Sequence, residues 1–185
     1  MSTDTITLPK VGTYTVDAAH SDVGFTARHL VGTKVRGRFQ EFSGTFTVAE
    51  NPEESTLEAT AQTASIHTNQ VQRDEHLRTN DFLDAATYPT LTLKSTRLEK
   101  VTESEWKLFA DLTIRGVTKA VEFKLEYLGE GDSMQEGKKV VAFSAEGEID
   151  RRDFGVSFNH ALLDGSVVVG NKVKIELEVE AALAE

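Results

Sequence analysis

The sequence predicts an all-β protein of about eight antiparallel strands. Three observations carry this: apolar residues recur at every second position over most of the chain, short polar connections separate these runs, and only two stretches break the rhythm. Such a pattern is shared by an antiparallel barrel and a β-sandwich with a solid core. The 185 residues suit a single domain spanning 1–185, with an ordered core of about 12–182. A chain of this size removes roughly 70% of its unfolded surface from water on folding.

From Tyr14 onward the strands can be taken in order. In KVRGRFQEFSGTFTV, Val35 and Phe39 share one parity while Phe42, Phe46 and Val48 share the other. A bulge or bend near Gln40 and Glu41 would bring both sets to one face. Leu57, Ala59 and Ala61 fall on one side of the next strand, Glu58 and Gln62 on the other. Leu91 and Leu93 alternate with Thr92 and Lys94 in the same way. Trp106, Leu108, Ala110, Leu112 and Ile114 form a longer run, followed after Gly116 by Val121, Phe123, Leu125 and Tyr127, which reads as a hairpin around RGVTK. Beyond the polar loop GEGDSMQEGKK come Val141, Phe143, Ala145 and Ile149. The chain closes with Val173, Ile175, Leu177 and Val179 set between lysine and glutamates.

The first interruption, QRDEHLRTNDFLDAATYP, carries helix start signals. Asn69 can cap, Gln72 stands where a capping-box partner sits, and Asp74 and Glu75 suit the positive end of a helix. Asp74 and Arg78 have i,i+4 spacing. The spacing predicts a helix around 70–79. Only Val71 and Leu77 are apolar within it, so it should lie on the sheet structure, with Phe82, Leu83 and Tyr88 as anchors. The second interruption is an irregular segment around 150–165, DRRDFGVSFNHALLDG.

Charge and motifs narrow the function. A net charge of −10 argues against a broad grip on nucleic acid or an anionic membrane, though it leaves room for local basic spots. With no cysteine there are no disulfides, thiolate ligands or cysteine nucleophiles. The first twenty residues lack a basic start and apolar core of a secretory signal, and no apolar run of about 18 residues could span a bilayer, so a cytoplasmic location is expected. His76 beside Glu75 invites an acid/base reading, but adjacent helix residues diverge by about 100°, so the pair is not a dyad. His20 and Asp22 share a strand face at i,i+2, yet no His-x-His or HExxH accompanies them and no metal is expected. Nothing resembles GxSxG, a P-loop or GxGxxG.

Ten phenylalanines and a strand offering mostly small residues (Leu57, Ala59, Ala61, Thr63) suggest a different use of the interior. An eight-stranded barrel is just wide enough to be filled or to enclose one small ligand, and small inner side chains favour the latter. Equally, small residues can face large ones across a packed core.

Five ordered motifs then carry a resemblance: HSDVGFTARHL from His20, GRFQEFSGTF from Gly37, RDEHLRTNDFLDAATYP from Arg73, LTIRGVTKAV from Leu112 and IDRRDFGV from Ile149. Together, over Tyr14 to about Ala182, they resemble the YceI-like, polyisoprenoid-binding proteins. The resemblance implies an extended lipocalin-like eight-stranded barrel, often a homodimer, enclosing a long apolar chain such as a polyprenyl lipid, a quinone tail or a fatty amide. It implies no catalytic residue and no cofactor, and many relatives are exported.

On that footing the expected tunnel lining is Phe25, Phe39, Phe46, Ala59, Ala61, Leu91, Leu112, Phe123 and Phe143, with Phe82 and Phe154 closing the ends. Arg28, His29, Arg73, His76 and Arg78 are candidates for a polar mouth that meets a head group. The competing role for these is an ion-pair network with Asp74, Asp81, Asp84 or Asp153 that fastens the helix to the barrel. Two other functions stay in view: a hydrolase or isomerase working on a lipid head group through His76 or His29, and a packed module that docks a protein.

Overall fold

The structure, a computed structural model, describes residues 6–135, 137–165 and 167–184. Its strands are β1 (Gly12–Val16), β2 (Asp22–His29), β3 (Thr33–Phe39), β4 (Phe42–Val48), β5 (Thr56–Gln62), β6 (Ile66–His67), β7 (Thr90–Lys100), β8 (Glu105–Ile114), β9 (Val117–Asp132), β10 (Lys139–Asp150) and β11 (Val169–Leu183). The single α-helix of the described residues, α1, covers Val71–Arg78. Eight strands close a ring in the order β1-β4-β5-β7-β8-β9-β10-β11, and β11 pairs back onto β1 through Tyr14↔Leu183, Thr15↔Ala182 and Val16↔Ala181. All pairings are antiparallel, so the predicted eight-stranded barrel is the observed one.

β2, β3 and β6 are continuations of ring strands across local breaks. β1 and β2 run along the same edge of β11, separated by a turn at Ala18–His20 in which the Asp17 carboxylate accepts from the Ala19 N–H. β3 passes into β4 at Gln40 and Glu41, the bend expected from the change of parity. There the Gln40 N–H donates to the Ser65 carbonyl and the Glu41 carbonyl accepts from the Gln62 N–H, so the bend lies opposite the short turn Thr63–Ser65. Phe39 and Phe42 consequently both face inward.

The RGVTK hairpin closes on Ile114↔Val117 with Arg115 and Gly116 at φ 51° and 71°. Two positive φ values are what a tight two-residue turn demands. Gly116 accepts this freely. Arg115 does not, but its guanidinium donates to the carbonyls of Asn80 and Phe82 at 2.7 Å each, tying the turn to the loop after α1.

The helix begins one residue later than Asn69 would place it. Gln70 is the cap, its side chain accepting from the Arg73 N–H, while Asn69 sits at φ 62° and its side-chain oxygen accepts from His67 Nε2. Gln72 therefore forms no capping box. Asp74 does not pair with Arg78 either: it is buried and accepts from the Thr68 backbone N–H at 2.8 Å and from the Thr68 hydroxyl, which lashes the helix to the end of β6. A carboxylate taken from water needs such donors.

α1, the following loop and residues 151–165, 167 and 168 all gather at one end of the barrel, where β7, β9 and β11 begin and β8 and β10 end. Two hydrophobic clusters divide the interior. One runs from mid-barrel to this helical end; the other, built on Tyr14, Val48, Tyr127, Val141 and Ala181, fills the opposite end. No helix of the described residues is long and apolar enough to cross a membrane.

Candidate functional site: an apolar cavity in the barrel

The interior cavity measures about 260 Å³, near the lower end of small-ligand sites at about 300–1,000 Å³. Its size follows from which side chains meet across the sheet. Ala59 pairs with Gly44 on one side and Leu93 on the other, and Ala61 pairs with Phe42 and Leu91, so one wall is thin. Elsewhere in the wall, on β2 and β3 beside this thin part and on β9 and β10 across from it, large rings are laid flat by glycines. Phe25 is paired with Gly37, where an added Cβ would fall 2.8 and 2.9 Å from Phe25 Cε1 and Cε2. Phe123 is paired with Gly147, where an added Cβ would fall 2.8 Å from Phe123 Cδ1. Without Cβ atoms at 37 and 147, both rings lie against the strands instead of crossing the lumen.

One end is stoppered by aromatic rings. Tyr14 stacks on Phe46 at 5.0 Å, Phe46 meets Phe143 edge-on at 5.3 Å, and Phe143 contacts Tyr127 at 5.1 Å. Such pairs add to the area they bury. Phe46 and Phe143, expected in the tunnel wall, thus sit in this stopper and not among the cavity-lining residues. Strand parity put them on the inner face, but parity does not report depth along a barrel. Burial raises the pKa of Tyr14 and Tyr127 above the ordinary phenol value, with Glu130 adding to both.

Phe25, Phe39, Ala59, Ala61, Leu91, Leu112 and Phe123 line the cavity, and Phe82 and Phe154 roof it with Leu77 and Leu83. His76 stands behind the roof. Its ring is edge-on to Phe82 at 5.0 Å and to Phe158 at 5.1 Å, and its Nε2 hydrogen-bonds Asp81 at 2.9 Å, not Glu75.

The other mouth candidates are placed outside the cavity wall. Arg73 donates from Nε and Nη2 to the Thr68 hydroxyl and carbonyl at 2.7 and 2.8 Å. Arg78 donates to the Ala64 and Ile66 carbonyls at 2.7 and 3.2 Å. Arg28 donates to the Gly32 carbonyl, and His29 borders a shallow outer groove. Of the ion-pair network that would fasten the helix, the structure has His76 with Asp81; among the described residues Asp74, Asp81, Asp84 and Asp153 form no salt bridge with these arginines, which donate to backbone carbonyls, while Asp74 holds Thr68.

The charged side chain that does line the cavity is Arg151, which sequence analysis did not single out. It is only 5% exposed. Nε donates to Gly170, Nη1 to Val156 and Phe158 at 2.7 and 2.9 Å, and Nη2 to Val169. Burial draws its pKa below the ordinary arginine value. The signal was present: Ile149 and Arg151 share an inward parity that Arg152 lacks, and Arg152 is indeed exposed and paired with Asp150.

His20 pairs with Asp17 at 2.8 Å and not with Asp22. With Glu180 these make the one group of metal-ligating side chains found among the described residues, its donor atoms within 4.8 Å of one another. The Asp17 hydrogen bond raises the His20 pKa and lowers its own, as an exposed ion pair would.

A closed antiparallel barrel, stoppered at one end and roofed at the other around a hydrocarbon-walled space, defines the class of lipocalin-like cavity proteins. Within that class, residues 14–181 match the YceI-like domain, and the chain belongs to that family. It is 35% identical over 174 residues to the UPF0312 protein SA2479 of Staphylococcus aureus, covering 93% of this chain and 98% of the relative. The solved Campylobacter jejuni YCEI protein is 32% identical with a TM-score of 0.73, over 91% of this chain and 96% of that one. A polyisoprenoid binding domain from Saccharophagus degradans shares the fold at 15% identity with a TM-score of 0.67, over 95% of this chain and 100% of that one.

Proposed function

We propose that the protein binds and carries a long apolar lipid, such as a polyisoprenoid, an isoprenoid quinone or a fatty amide, without covalent chemistry. The observation that carries this reading is the cavity: alanine and glycine open a wall that Phe25, Phe39 and Phe123 complete, and the roof is hydrocarbon as well. Each methylene moved there from water contributes roughly 0.8 kcal/mol, so a few prenyl units bind well with hardly any polar contact. The S. degradans domain is named for polyisoprenoid binding; at its low identity that likeness bears on the fold alone, and the ligand reading rests on the cavity.

The hydrolase or isomerase alternative draws less support, because His76 is engaged with Asp81 and two aromatic edges behind the roof and His29 borders the outer groove. A fully packed docking module is disfavoured by the cavity itself.

The test is native mass spectrometry of the purified protein with organic extraction of what it retains, repeated on Ala59→Phe, which fills the thin wall. The parent should carry or take up a prenyl lipid, quinone or fatty amide, and Ala59→Phe should lose it while remaining folded. A parent that is empty and takes up none of these would sink the proposal.

A further inference from the structure

The outer face of β3 departs from the rest of the barrel. Elsewhere exterior lysines lie near acids, as in Lys94 with Glu58, Lys107 with Glu122, Lys124 with Glu105 and Lys174 with Glu146. On β3, Lys34, Arg36 and Arg38 are exposed and, among the described residues, none of their side chains has a hydrogen-bond or ion-pair partner. Lys34 lies directly across from Arg28, a like-charge pairing that costs stability. The groove beside this strand is bordered by His29, Lys34, Arg36 and Arg73 and by no carboxylate. All this occurs on a chain with 30 acids against 20 lysines and arginines.

At the helical end of the same strand, apolar side chains are exposed on two neighbouring loop tips. Leu30 and Val31 form the β2–β3 turn, Leu162, Leu163 and Val167 the other tip, and the Leu30 N–H joins them by donating to the Val168 carbonyl at 2.8 Å. Val31 and Leu163 are fully exposed. Asp164 is the sole carboxylate in the sequence of the two tips.

We infer that this rim docks onto an anionic lipid bilayer, the leucine and valine tips entering the interfacial zone while Arg28, Lys34 and Arg36 meet phosphate head groups. Apolar tips backed by cations are the two attractions that hold a peripheral protein to such a surface. Cations that merely guard the open edge of β3 would explain Lys34 and Arg36 but not the apolar tips beside them. A second copy docking edge to edge would set these cations against one another, and a nucleic acid backbone has no apolar layer for Leu30, Val31 and Leu163. The inference extends the carrier reading without depending on it.

Vesicle flotation tests it, using phosphatidylcholine alone and phosphatidylcholine with phosphatidylglycerol. The parent should float with the anionic vesicles, far less with the neutral ones, and be released by salt as the Debye length shortens. Each cation near such a surface contributes about fivefold in partitioning, so Lys34→Ser with Arg36→Ser should lose about 25-fold. Val31→Ser with Leu163→Ser should also reduce flotation, whereas Lys94→Ser with Lys107→Ser, on the distant strands, should not. Native mass spectra of the same variants keep the two ideas apart, since cavity retention should be unchanged by them. Failure of the parent to float with anionic vesicles, equal loss from the distant lysine pair, or full competition by inorganic phosphate would overturn the inference.

Discussion

Gly37→Ala is the sharpest perturbation of the cavity. The new methyl would fall 2.8 and 2.9 Å from two carbons of the Phe25 ring and closer still to Cζ, so the ring must leave the wall. Phe39, with its ring centroid 5.9 Å away, obstructs one direction, and the cavity offers the other. The ring therefore swings into a space of about 260 Å³ and takes a good part of it. Overpacking of this kind costs about 1–3 kcal/mol, and replacing glycine returns about 0.4–1 kcal/mol by restricting the unfolded chain. A net loss of about 1–2 kcal/mol should lower the melting temperature of a chain this size by about 2–8 °C. Retained lipid should fall with it. Phe25→Leu in the same chain removes the outer ring atoms, so the double variant should recover ligand retention and show a favourable coupling in a double-mutant cycle by urea denaturation. A Gly37→Ala protein of parental stability and retention, or a cycle with no coupling, would refute the wall geometry.

Arg151→Lys should destabilise the protein by about 2–4 kcal/mol in urea, because an ammonium cannot reach the four carbonyls the guanidinium spans and buried acceptors left without donors cost about 1–3 kcal/mol each. Hydrogen exchange should then accelerate at 155–170. Tyr127→Phe should leave stability unchanged or raise it by up to about 1 kcal/mol, since the Tyr127 hydroxyl is buried without a partner among the described residues; a clear loss in thermal denaturation would show that the hydroxyl is satisfied. Hydrogen bonding to Arg152 lowers the Asp150 pKa from 3.8 to about 2. A depressed carboxylate contributes stability that is complete above pH 3.8 and fades as pH falls toward 2; Arg152→Gln should move the Asp150 carbon titration, followed by NMR, back toward 3.8.

Much of the barrel was legible because its strands are amphipathic. Val173 to Val179 alternates throughout and Trp106 to Ile114 does so but for Phe109, whose ring faces outward under Arg97, and both are ring strands. Even the bend at Gln40 and Glu41 could be read, since a change of parity has a geometric meaning. The breaks at Ala18–His20 and Thr63–Ser65 could not, because a short turn that rejoins the same edge leaves no mark on periodicity. The helix cap slipped from Asn69 to Gln70 because Asn69 takes a left-handed conformation and binds His67 instead. Within the site, parity gathered Phe25, Ala59 and Phe123 on the inner face but could not tell them from Phe46 and Phe143, which lie deeper along the same faces. The arginines of α1 looked like ligands for acids because their carbonyl partners are invisible in a string of side chains.

The ring's last member also sets an order of events for the newborn chain. β11 supplies a wall to β10, to β2 and to β1, so no enclosed space exists until residues 169–183 join β10, made just before them, to β1 and β2, made first. Up to that moment the apolar inner faces of seven strands belong to an open, sticky sheet, and pairing across so many intervening residues is slow. The interior is enclosed only once β11 has joined β10 to β1 and β2, which makes the open sheet that precedes this step the stage most exposed to aggregation.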